Sequence, residues 1–446
     1  VPPRLVPPTG DTVILSRLTP LKLAVPAAAF LLTLAALTIA NGSSPSAVGG
    51  GPEVAATGPS TDGRIRAAQR VVAAKPTDAG AYATLGEAYL QKVRETGDAG
   101  FYSKAEGAFR TGLQRDPREV GGRIGLGSLA LARHDFRAAL QHGLEARRLA
   151  PELVRPYAVI ADAQVELGRY ADAGTTLQRM VDMKPNLASY ARVSYFRELN
   201  GDLDGAAEAM ALAVSAGGDA PENVAYVQTL LGNLELDRGR AGAAEAAYRT
   251  ALDSFPDHPA ANAALARLEA GRGELGPAIR RYRAVVARLP LPEYVIGLAE
   301  AELAAGRDGA ARRNLDLVRV EQTLLQSNGV NADVELALFE ANHGSARRAV
   351  ELGRRVWAAA PGVRSADALG WALTASGSPK PGLAFARRAL ALGSKDPTFL
   401  YHAGMSARAA GRRALAVRHL RAALAVNPRF SALYAPRAKR ALRELA

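Results

Sequence analysis

The chain of 446 residues contains no cysteine, which excludes disulfide frameworks, thiolate metal sites and cysteine nucleophiles together. Histidine is scarce as well: His134, His142, His258, His343, His402 and His419 are the full set. None forms an H-E-x-x-H pair or sits four residues from another, so no metal site is legible. A G-x-x-x-x-G-K-[ST] phosphate loop and a G-x-S-x-G elbow are both missing. Gly125-Leu126-Gly127-Ser128-Leu129-Ala130 matches the dinucleotide string G-x-G-x-x-A by letter, yet the glycines fall inside a helical pattern where a strand should precede them. No catalytic residue, cofactor or metal ligand is nominated, and the chain reads as a non-enzyme.

Aromatic residues make up only 6% of a chain that is 48% hydrophobic. Most of the apolar content is therefore alanine and leucine, which suits close helix–helix packing and lacks the β-branched and aromatic runs of strands. Acidic residues are scarce at one end. From His343 onward there are 19 Lys+Arg against 4 Asp+Glu, leaving 37 of 56 and 39 of 43 for the first 342 residues. That asymmetry points to an anionic partner or to a solubilising arginine surface at the C-terminal end. The candidate patch is Arg347, Arg348, Arg354, Arg355, Arg387, Arg388, Arg412 and Arg413, because arginine forks suit carboxylate and phosphate. Interleaved aromatics for base stacking are few, so nucleic acid fits less well than an acidic protein, an envelope polymer or lipid headgroups.

One long uncharged run occurs, Leu23–Ala40, at the lower length limit of a membrane-spanning helix. Residues 1–22 form a Pro-rich tail with Arg4, Arg17 and Lys22, and the next charge after the run is Glu53. The positive-inside bias then places the N-terminus in the cytoplasm and the remainder outside. A cleaved signal ending near Thr38-Ile39-Ala40 is the alternative, and it also exports the remainder of the chain. Residues 41–63, rich in Gly, Ser and Pro, read as a flexible spacer.

What the rest contains is a period. Pro117, Pro151 and Pro185 lie 34 residues apart, with two helical patterns and a Gly- or Asp-containing turn in each interval. Tyr82, Leu85, Gly86 and Tyr89 share one helical face, and Ala105, Phe109 and Gly112 share the next. Leu126, Gly127, Ala139 and Ala146 repeat the pattern, as do Tyr157, Ile160, Ala161, Ala173 and Leu177. Leu231, Gly232, Ala244, Tyr248 and Ala251 follow, then Leu265, Ala266, Ala278 and Tyr282. Matches thin beyond Pro290 and recover at Gly404, Ala416, Leu420 and Ala423. Gly and Ala leave room where helices cross, and Pro stops the second helix from continuing.

These residues resemble the tetratricopeptide repeat family. The resemblance implies an all-α, right-handed solenoid of about ten helix–turn–helix repeats over residues 64–446, closed by a polar helix over Ser431–Ala446. The surplus near Gln91–Ser103 reads as a longer inter-helix turn, and Val318–Val330 as a place where the stack bends. The family's first helices line a concave face that contacts protein or peptide ligands. By repeat register Arg192, Phe196, Tyr226, Asn233 and Arg267 fall on that face, while the family's clamp for chaperone tails is missing. The sequence thus describes a non-enzymatic scaffold, bacterial by its Ala/Arg/Gly usage and membrane-anchored or exported. Its alternative is a soluble adaptor using the arginine-rich end.

Overall fold

The computed structural model describes residues 60–217, 221–331 and 333–445. The 1–22 tail, the 23–40 run and nearly all of the 41–63 spacer lie outside the described residues. Within them are 22 helices and no strand. A first helix, Thr61–Ala74, is followed by ten antiparallel pairs and a last helix, Tyr434–Leu445. Thr61–Ala74 starts three residues before 64, because the Ser60 side chain accepts from the Gly63 amide and caps it. None of these helices is long and apolar enough to cross a membrane.

Local chemistry sets the boundaries. Asp78, Asp135, Asp202 and Asp396 cap helix N-termini with their side chains, and Asn186 forms a capping box with Ser189. Inside most pairs the turn passes through a left-handed residue, which is glycine at 168, 201, 239, 273, 306, 377 and 411. In the second pair His134 takes that place, with φ 58°, as the one non-glycine residue of positive φ among the described residues. Aromatic rings of second helices then fill notches left by glycines. A Cβ on Gly86 or Gly125 would lie 2.4 or 2.2 Å from the Phe109 ring, and one on Gly232 would lie 2.4 Å from Tyr248. Gly125 and Gly127 are accordingly packing positions within the helix Val120–Ala132.

The expected long turn at Gln91–Ser103 is absent. The surplus residues lengthen the helices themselves, to Ala79–Thr96 and Gly100–Arg115. Val318–Val330 shows no repeat boundary in sequence, yet one falls inside it: Asp308–Ser327 runs on as a 20-residue helix, and the turn after it leads into the next pair at Asp333–His343. Neither stretch carries Pro, so the helices run on until a left-handed glycine ends them, Gly97 in the first and Gly329 in the second.

First helices are buried nearly all round. Leu187–Leu199 leaves only Arg197 and Glu198 less than fully buried, whereas Tyr170–Met183 buries one stripe, Ala173, Gly174, Thr176, Leu177 and Met180. The reason is tertiary. The stack coils so tightly that its second turn rests on its first. His134 and Arg133 meet Asn331, the Tyr170 hydroxyl accepts from the Val363 amide at 3.0 Å, and Asn427 donates to the Leu236 carbonyl at 3.3 Å. These contacts join residues 197, 193 and 191 apart, about six repeats. Glycine permits the closest approach: a Cβ on Gly168 would sit 2.7 Å from the Pro361 carbonyl oxygen, and one on Gly271 would sit 2.6 Å from that of Arg429.

Small residues at the crossings should be intolerant of volume. Ala139 is fully buried, so Ala139→Trp is expected to cost about 1–3 kcal/mol by overpacking. Thermal denaturation reads the loss, and an unchanged midpoint would refute this register.

Candidate functional site: the coil interior and the arginine face

Arg192 lies on the inner helix Leu187–Leu199 and is 2% exposed. Its guanidinium straddles Asp162 on the preceding first helix, Nε to Oδ1 at 2.9 Å and Nη2 to Oδ2 at 2.8 Å, and Nη1 donates to the Ala188 carbonyl at 3.1 Å. Burial pushes the Asp162 carboxyl up, against the downward pull of Arg192. Phe196 and Tyr226 belong to one apolar core with Ala191, Met210 and Leu234. Asn233 and Arg267 are half-buried and meet: Arg267 donates to the Asn233 side-chain oxygen at 2.9 Å, which also accepts from the Tyr248 hydroxyl at 2.9 Å. Of the five residues placed by register on the concave face, three are thus engaged in internal packing.

Several polar residues of the interior were not legible in the repeat pattern. The Tyr195 hydroxyl donates to Glu166 at 3.3 Å, Glu166 faces Arg364 at 3.8 Å, and Arg364 pairs with Glu335 at 2.8 Å. This chain of charges crosses from one turn of the coil to the next. Burial pushes the Glu166 carboxyl up, opposed by Arg364. A charged residue at an inner position of a first helix was the available signal, but its partner sits about two hundred residues away.

The interior opens into a cavity of about 260 Å³. The helices Ala79–Thr96, Pro221–Asp237, Pro259–Arg272, Pro292–Ala304 and Asp308–Ser327 enclose it. Arg94, Glu222, Tyr226, His258, Glu293 and Gln322 contribute polar groups, and Val93, Leu289, Leu291, Leu325 and Val330 contribute apolar ones. Gln322 is 3% exposed, yet neither its Oε1 nor its Nε2 is hydrogen-bonded. The Arg94 side chain is 8% exposed and stands 3.6 Å from Glu222, with Nε and Nη2 making no hydrogen bond. Burial lowers the Arg94 guanidinium, offset by Glu222, and pushes the Glu293 carboxyl up to about 7. His258 is held down by burial, and its Nδ1 accepts from the Ala261 amide.

The eight candidate arginines of the C-terminal end lie elsewhere, on the outer second helices. Arg347, Arg348, Arg354 and Arg355 sit on Ala346–Ala359, Arg387 and Arg388 on Pro379–Ala389, and Arg412 and Arg413 open the helix Arg413–Val426. All are exposed, the Arg347 side chain to 90%. Arg347 pairs with Glu351, Arg348 reaches Glu340 at 3.5 Å, and Arg388 lies over the Phe385 ring at 4.7 Å. Of the four acids after His343, Asp367 and Asp396 are buried at 2% and 3% exposure. Only Glu351 and Glu444 oppose the outer charge from this end of the chain, each already paired with an arginine. The field reaches His419, whose imidazole is pushed down to about 4, first by burial and then by Arg418 and Arg387. Among the described residues no three His, Asp or Glu groups converge as metal ligands.

No curated protein matches the chain significantly. The family model for the tetratricopeptide repeat matches residues 90–153, 159–221 and 229–290. Solved structures show similar folds at low identity. The human IFIT1 dimer with PPP-AAAA is 17% identical, covers 70% of this chain and 72% of its own, and has a TM-score of 0.46. PilW, a type IV pilus biogenesis factor, is 18% identical over 47% of this chain and 97% of its own, with a TM-score of 0.39. A thermophilic protein of the same repeat type from Thermus thermophilus is 19% identical over 51% of this chain and 100% of its own, with a TM-score of 0.34. The helical pairs over residues 90–153, 159–221 and 229–290 match the tetratricopeptide repeat, and the described residues as a whole form an all-helical solenoid of that pair-wise type.

Proposed function

We propose that this chain is a non-enzymatic scaffold that docks an acidic protein partner on the outer face of its C-terminal repeats. A tetratricopeptide solenoid is a platform for protein–protein interaction, and no catalytic family is indicated. The arginine face carries the more specific reading. Its guanidinium groups stand on three successive outer helices, while two of the four acids of that end are withdrawn into the core. Carboxylates approaching such a surface gain bidentate contacts and electrostatic steering. The inner face supports the reading by contrast, since Arg192, Phe196 and Tyr226 are engaged in the coil's own packing. Residues 23–40 would display the scaffold on the outer side of a bacterial cytoplasmic membrane.

A fluorescent poly-L-glutamate peptide is a suitable probe. Its affinity is expected to fall steeply between low and physiological salt, because exposed charges are screened beyond a Debye length of about 8–10 Å. Reversing Arg347, Arg348, Arg387 and Arg388 to Glu is expected to weaken it at least about tenfold, or 1.4 kcal/mol. Salt-independent binding, or none, would overturn the reading. Tighter binding of single-stranded DNA or of anionic vesicles would replace the acidic protein with those partners. Protease added to intact spheroplasts is expected to cut the repeats, whereas full protection would contradict display outside.

A further inference from the structure

The inner cavity lies apart from the arginine face, and the scaffold reading leaves it unused. We propose that it binds a small organic amine, a primary ammonium on an apolar body, with the Glu293 carboxylate as its counter-charge.

Most charged groups on the cavity walls are already matched. Arg94 and Glu222 form an ion pair at 3.6 Å, with Arg94 Nη2 and Glu222 Oε2 sealed inside the wall. Arg288 donates to the Asp257 carbonyl at 2.8 Å and lies 3.0 Å from the Asp257 carboxylate. Glu335 accepts from Arg364 at 2.8 Å, and Glu95 accepts from Thr61 at 2.6 Å and from Gln91 at 3.2 Å. The two histidines of the lining are engaged as well, His134 with the Asn331 carbonyl and His258 with the Ala261 amide. Glu293 has no such match among the described residues. It is half-buried and not sealed, yet burial pushes its carboxyl up to about 7, with Glu335 adding to the rise and no cation opposing it. A carboxyl that protein surrounds, and that still keeps accessible surface, opens onto the internal space it lines.

An ammonium supplies what this carboxyl lacks. A cation beside it favours the ionised form, and N–H donors on that cation make charge-assisted hydrogen bonds to it. Tyr102 and Tyr294, 4% and 8% exposed, line the same space with hydroxyls that make no hydrogen bond among the described residues. They are acceptors for the donors that Glu293 leaves over. A metal ion fits less well, since among the described residues no three His, Asp or Glu groups converge. The remaining wall, Val93, Leu289, Leu291, Leu325 and Val330, is apolar and gains from contact with a hydrocarbon body in place of water. The volume of about 260 Å³ exceeds the roughly 150 Å³ in which a cavity holds benzene, which leaves room for one ring and a short aminoalkyl chain.

Isothermal titration of the full chain with phenethylamine is the test, with phenethyl alcohol and hydrocinnamate as its neutral and anionic counterparts. One saturable site per chain is expected for the amine, with binding at least about tenfold weaker for the alcohol and the acid. Glu293→Gln should weaken the amine at least about tenfold and leave the alcohol nearly unchanged. Ala260→Phe fills the cavity from the helix Pro259–Arg272 and should abolish binding of the amine. Circular dichroism and the thermal midpoint show whether each variant is folded, and the comparison of amine, alcohol and acid on the parent chain decides even where a variant is not. The charge-reversed arginine face should bind the amine as before, which separates this site from the scaffold reading. Absence of saturable amine binding would overturn the proposal. Equal affinity for the alcohol would do so by making the cavity a purely apolar pocket, and equal or higher affinity for the acid by moving recognition to Arg288. Unaltered amine binding in folded Glu293→Gln or Ala260→Phe chains would overturn it too.

Discussion

Replacing Arg192 with methionine is expected to destabilise the fold by about 3–5 kcal/mol, because it strands a buried carboxylate. Asp162 is 5% exposed and its partner's side chain 1%. The two hydrogen bonds from Arg192 are the ones that hold its charge, at 2.9 and 2.8 Å. Without them burial drives the carboxyl to take up a proton. Methionine fills most of the vacated volume, so the loss reports charge more than cavity. The double variant Arg192→Met/Asp162→Leu removes both charges and should recover most of the stability, since a buried pair replaced by apolar residues is often neutral or better. Chemical denaturation of the single and double variants measures both statements. A single variant within about 0.5 kcal/mol of the parent, the usual range for surface substitutions, would mean the pair is not buried as described.

Asp237→Asn should do the opposite and stabilise the chain at alkaline pH. Burial pushes the Asp237 carboxyl up to about 6 from 3.8, with Arg267 pulling the other way. Glu198 and Asp396 face it from other helices, and burial raises both well above their ordinary range, each raised further by Asp237. A carboxyl with a raised folded pKa contributes stability that is fully present below the unfolded value, near 4, and is lost as pH climbs through the folded value. Asparagine does not titrate and escapes that loss. The difference between parent and variant is therefore expected to be small at pH 4, to grow through pH 6, and to level off near pH 8 at roughly 3 kcal/mol, from about two units at 1.4 kcal/mol each. Half-buried His142 and His419 and buried His258 move the parent's own curve the other way at low pH. The comparison of variant with parent cancels them. A constant difference across pH 4–8 would refute the account.

The repeat architecture was legible because its cause is local. Gly86, Phe109, Gly125, Gly232 and Tyr248 mark helix crossings whose spacing is written along the chain, and the ten pairs with two flanking helices follow from it. The exposed arginines were legible for the same reason, since they fall between the small residues of second helices. The interior was not. Arg192 appears by register on an open concave face, and only the coil's second turn, resting on the first through Tyr170–Val363 and Asn427–Leu236, shows why first helices are buried all round. Arg94, Glu222 and Gln322 share one cavity while standing 128 and 100 residues apart in sequence, a distance no periodicity encodes. His134 was the one hint. Histidine where other pairs place glycine marked a turn held by something other than its own chain neighbours, and Asn331 is what it meets.

Everything proposed for the interior depends on the coil closing on itself, and the cysteine-free chain makes that directly measurable. Spin labels on cysteines placed at Arg137 and Ala358, where one turn donates to the next at 3.0 Å, report the spacing between turns. Closure predicts a short, narrow distance of roughly one to two interhelix spacings, ~10–20 Å. A broad distribution near ~60 Å, about six repeats at one interhelix spacing each, would contradict it.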